Sequence, residues 1–128
     1  MDAFVQPLYE LADFDAIIRQ LKKPGIVQVS GCLDSQKAHF TNGLLREFPF
    51  RLIVAENDLK AKAFYEDFRL YDPEVLYYPA RDLIFYQADI HGNLLTRQRI
   101  QVLRALLERE EVTIVTSIDS CLDCLVPL

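Results

Sequence analysis

What the chain has little of sets the first limits. No apolar stretch runs beyond about five residues, against the ~20 needed for a membrane-spanning helix, so no transmembrane segment is expected. The start, Met1-Asp2-Ala3-Phe4, lacks the basic region and apolar core of a secretory signal. Cysteine is scarce: three residues, an odd number without a signal, fit a reducing cytoplasm better than a disulfide scaffold. Basic side chains are outnumbered, 14 against 19 acidic, and the net charge of −5 has the wrong sign for a domain whose main task is gripping phosphates. Low-complexity segments, internal repeats and internal linkers are also missing. What is present is a chain of 128 residues, 51% apolar and 26% charged, which excludes disorder. Such a length buries about two-thirds of its unfolded surface as one domain. A soluble, cytoplasmic, single-domain protein is the expectation.

Short β-rich runs alternate with longer helical ones. Phe4, Leu8 and Leu11 fall at helical spacing, and Asp13 is placed to cap a second helix through Ile17, Ile18 and Leu21 that stops at Pro24-Gly25. Residues 1–24 thus read as an N-terminal helical segment, and residues 25–128 as the α/β domain proper. Ile26-Val27-Gln28-Val29-Ser30 predicts a buried strand, because β-branched side chains pack well on a pleat. The next helix aligns Ala38, Thr41, Leu45 and Phe48, with Phe40 and Leu44 beside them. The unit then recurs. Arg51–Ala55 predicts a strand, Asp58 caps a helix carrying Ala61, Phe64, Phe68 and Tyr71 on one stripe, and Val75–Tyr78 begins a third strand after Asp72-Pro73. Pro79 to Asn93 is a long connection. A helix from about Leu94 to Glu108 is expected to bury Ile100, Leu103 and Leu107, Val112–Thr116 is a fourth strand, and a terminal helix runs through Leu122 and Leu125. Strands alternating with helices of this length predict a three-layer α/β architecture, a parallel sheet with helices on both faces. The ending Val126-Pro127-Leu128, apolar to the last residue, is that expected of a chain cut from something longer.

One turn carries candidate chemistry. Gly31-Cys32-Leu33-Asp34-Ser35-Gln36-Lys37-Ala38 lies between an expected strand and a helix, where a phosphate-binding loop of pattern G-x-x-x-x-G-K-[ST] would lie. Gly31 and Lys37 match. Gln36 replaces the second glycine and puts a Cβ where the backbone must approach a phosphate, and Ala38 lacks the hydroxyl that would hold magnesium. Nucleotide hydrolysis is therefore not expected. A turn kept for fold geometry, with a solvated lysine, is the favoured reading; a nucleotide-binding domain using Lys37 is the alternative.

That broken loop in this arrangement resembles the N-terminal region of the bacterial transcription-repair coupling factors (the Mfd family). This region is itself similar to the first RecA-like domain, domain 1a, of the excision-repair protein UvrB. Arg51–Asn57 with the helix behind it looks like the second helicase strand and its helix. Val75–Asp82, then Phe85–Ile90 and Leu95–Ile100, look like the family's proline-terminated strand and the lead into its long helix. Val112–Ser117 looks like the strand that closes on a small polar pair. The resemblance covers about residues 25–128. It implies a degenerate RecA-like, P-loop-type fold. It implies an N-terminal module without catalysis, cofactor or metal, within a parent resembling an ATP-dependent DNA translocase that releases stalled RNA polymerase and recruits excision repair. Its implied partners are the excision-repair protein UvrA and other domains of the parent chain, and its implied role is interaction and restraint of the motor. No apolar run here ends in the Asp-Glu pair of a helicase motor, and Asp119 reads as a cap or turn residue of the last helix.

Other candidates have competing readings. Cys121 and Cys124 have zinc-knuckle or redox spacing, with Cys32, His39 and His91 the only further thiol or imidazole ligands; two small side chains on a buried helix face is the favoured reading. Neither histidine has a Ser or Cys partner at catalytic spacing. Arg97, Arg99, Arg104 and Arg109 give their helix a basic surface, and Arg97 and Arg104 share a face that would suit a DNA or protein contact. Tyr77, Tyr78, Phe85 and Tyr86 gather near the end of the third strand, as a stacking platform or as core lining.

Overall fold

The computed structural model describes residues 2–80 and 89–122, with side chains described for 3–80 and 94–122. In chain order its helices and strands are α1 (Asp2–Val5), α2 (Phe14–Leu21), α3 (Asp34–Leu45), β1 (Phe50–Ala55), α4 (Asp58–Phe68), β2 (Leu76–Tyr78), α5 (Asp89–Glu108), β3 (Val112–Ser117) and α6 (Ile118–Leu122). A 3-10 turn, Gln6–Glu10, joins the first two helices. The chain divides into two compact units, Met1–Phe48 with Asp67–Pro73 and Pro49–Glu66 with Glu74–Leu128.

The second unit holds a parallel sheet of three strands in the order β1-β3-β2. β3, the last strand in sequence, lies in the middle, and each of its six residues is buried. Strand alternation sorts the sheet into two faces. On one, Val112 and Ile114 of β3 and Leu76 and Tyr78 of β2 pack against Val102 and Ala105 of α5. On the other, Tyr77, paired in register with Val115, meets Asp58 and Tyr65 of α4. Val115 has no exposed surface, and burial of a side chain of this kind contributes ~1.5–3 kcal/mol. The α/β class expected from the sequence is present, with helix crossovers between parallel strands.

Two helices of this unit, α4 and α6, start on side-chain caps. Asn57 Oδ1 accepts the Lys60 backbone N–H at 2.8 Å, so Asn57, not Asp58 as expected, is the cap of α4. Ser117 Oγ likewise accepts the Ser120 N–H at 3.3 Å, and Asp119 falls inside the first turn of α6. The phase of α5 also differs from the expectation. Val102, Ala105 and Arg99 are buried, while Ile100 is 58% and Leu107 80% exposed. The helix begins at Asp89, five residues before the expected start, and the apolar residues at 100, 103 and 107 do not mark its inner stripe. Leu125, expected in the last helix, lies outside the described residues.

The first unit packs its helices around Leu8, Phe14 and Ile18, with Phe40 and Leu44 of α3 against them. Phe14 sits edge-on between Tyr9 and Phe40, at ring separations of 5.1 and 5.7 Å. Gly43 closes this core: a Cβ built there would come 2.5 Å from Leu8 Cδ1 and 3.1 Å from Phe14 Cζ. Tyr71 meets Phe4 edge-on and stacks on His39, whose Nε2 is hydrogen-bonded to the Phe4 carbonyl.

The expected strand at Ile26–Ser30 is not formed. These residues belong to no helix or strand, and Ile26 is 99% exposed. A strand needs a partner's backbone groups as well as β-branched side chains, and among the described residues the sheet is β1-β3-β2 alone, with no place taken by this segment. Among the described residues three strands, rather than the expected four, make up the sheet.

Candidate functional site

The turn singled out from the sequence enters α3 through Gly31, whose φ of +88° is a conformation that side-chain-bearing residues rarely adopt. Beyond it, each of the three decisive positions is engaged locally. The backbone N–H of Leu33 donates to Gln36 Oε1 at 3.3 Å, so the glutamine closes the first turn of its own helix. Lys37 Nζ pairs with Asp34 Oδ1 at 2.7 Å, one helical turn back. Ala38 is only 2% exposed, so a hydroxyl at this position would be buried rather than offered to a metal. A phosphate loop works by leaving backbone N–H groups and an ammonium directed at an empty cradle behind a strand end. Here the preceding segment is not a strand, one amide is taken by Gln36, and the ammonium is paired at the surface with Asp34.

The other candidates are distributed rather than gathered. Arg97 and Arg104 both stand exposed on α5, and Arg104 Nε pairs with Glu108 at 3.2 Å. Arg99 does not belong to that basic surface. It is 6% exposed, its guanidinium lies 4.5 Å from the centre of the Tyr78 ring, and Nη1 donates to the Pro79 carbonyl at 3.4 Å. A helical register that places Val102 and Ala105 inward also places Arg99 inward, three residues before Val102; this was the available signal, and the count of arginines along the helix concealed it.

Tyr77 and Tyr78, expected to cluster, point to opposite faces of the sheet. Tyr78 carries Arg99, while the Tyr77 hydroxyl donates to Asp58 and its ring lies 5.5 Å from that of Tyr65. Burial, followed by the hydrogen bond to Asp58 and the charge of that carboxylate, holds the Tyr77 phenol well above its ordinary range. Phe85 and Tyr86 lie outside the described residues. Cys32 is half-buried and Cys121 exposed, so Cys121 is not on a buried helix face as expected; Cys124 and the side chain of His91 lie outside the described residues. No group of three or more His, Cys, Asp or Glu is placed to hold a metal ion among the described residues. No helix among them is long and apolar enough to cross a membrane.

Comparison of the chain with protein-family models, curated proteins and solved structures finds no match.

Proposed function

We propose that the chain is a non-catalytic α/β interaction module of the kind found at the N-terminus of transcription-repair coupling factors, with a degenerate RecA-like fold. The observation that supports a reading without nucleotide chemistry is the state of the turn before α3. Lys37 pairs with Asp34 at the surface, Gln36 accepts from the Leu33 amide, and Ala38 is buried. The parallel strands with helical crossovers support the fold reading, and the succession of the sequence segments between Arg51 and Ser117 supports the family reading. In this reading the parent protein is an ATP-driven DNA translocase that recruits excision repair. This region serves contact with UvrA or with other domains of the parent, and restrains the motor.

Titration with magnesium and ATP, followed by melting temperature, tests the chemical part. A ligand at 100 times its Kd stabilises a fold by about 2.7 kcal/mol. The expected result is no shift, in the chain as it stands and in Lys37→Ala alike. A saturable rise in melting temperature that disappears in Lys37→Ala would overturn the reading in favour of a nucleotide-binding domain. The interaction part is tested by calorimetric titration with purified UvrA and with the rest of a coupling factor; heat of binding to neither would remove the proposed role.

A further inference from the structure

We draw no further inference here: the strongest candidate, the apolar groove of about 170 Å³ between Leu52 of β1, Leu103 and Leu106 of α5 and Cys121 of α6, carries nothing, because nothing in the structure shows what covers it.

Discussion

Gly43 offers a sharp test of how the first unit is packed. Replacing a mid-helix glycine by alanine ordinarily stabilises a helix by about 1 kcal/mol, because alanine loses less backbone freedom on folding. In α3 the added methyl would meet Leu8 Cδ1 at 2.5 Å and Phe14 Cζ at 3.1 Å, both closer than carbon atoms approach without displacement. Leu8 is 7% and Phe14 1% exposed, and Phe14 is held between Tyr9 and Phe40, so relief must come from turning Leu8 within a filled core. Overpacking of this kind costs about 1–3 kcal/mol. The two effects sum to a Gly43→Ala variant between neutral and about 2 kcal/mol less stable. Urea unfolding followed by circular dichroism measures this. The decisive arm is a double-mutant cycle: in a Leu8→Ala background the closer clash is gone and only the 3.1 Å approach to Phe14 Cζ remains, so Gly43→Ala should be less costly there by about 1 kcal/mol or more. A Gly43→Ala single variant stabilised by that same amount would refute the packing, because it would mean that Leu8 does not lie over α3.

Three further predictions concern the second unit. Ser117→Ala removes the cap of α6 and leaves the buried Ser120 hydroxyl without the partner it now has at 3.0 Å, so a loss of about 2–3 kcal/mol is expected in urea unfolding; a loss under 0.5 kcal/mol would contradict the buried pair. The raised Tyr77 phenol has a definite sign. The folded state keeps its proton when the unfolded chain releases it, so this contribution is complete below about pH 10 and is lost as pH climbs above it, whereas Tyr77→Phe should show a flatter melting temperature over that interval. Equal pH profiles for the two proteins would rule the coupling out. Arg104→Ala breaks only an exposed pair with Glu108, so its cost should stay within ~0.5 kcal/mol, and a drop of 2 kcal/mol in thermal unfolding would show that the side chain packs elsewhere.

How far the fold could be read depended on whether local pattern and tertiary context agreed. The runs Phe50–Ala55, Leu76–Tyr78 and Val112–Ser117 are dense in β-branched and aromatic residues and became strands. Ile26–Ser30 has the same composition and did not, because pairing is a property of two segments and composition belongs to one. The inner stripe of α5 departs from the sequence expectation for a related reason. Leucines and isoleucines outnumber inward positions on that helix, so Ile100 and Leu107 outshone Arg99, whose long side chain lies along the Tyr78 ring. The departures of Gln36 and Ala38 from the phosphate-loop pattern are legible from residue type alone. Their present occupations, a helix-closing bond and a place in the core, required coordinates.

The position of β3 has a bearing on how the molecule is made. Arg51 and Thr113 are hydrogen-bonded across 62 residues, and neither β1 nor β2 has another neighbour in the described sheet. A nascent chain leaving the ribosome therefore carries two orphan edges until Val112–Ser117 emerges to join them. All the pairing of the described sheet is therefore non-local, the kind of contact whose loop-closure entropy slows folding.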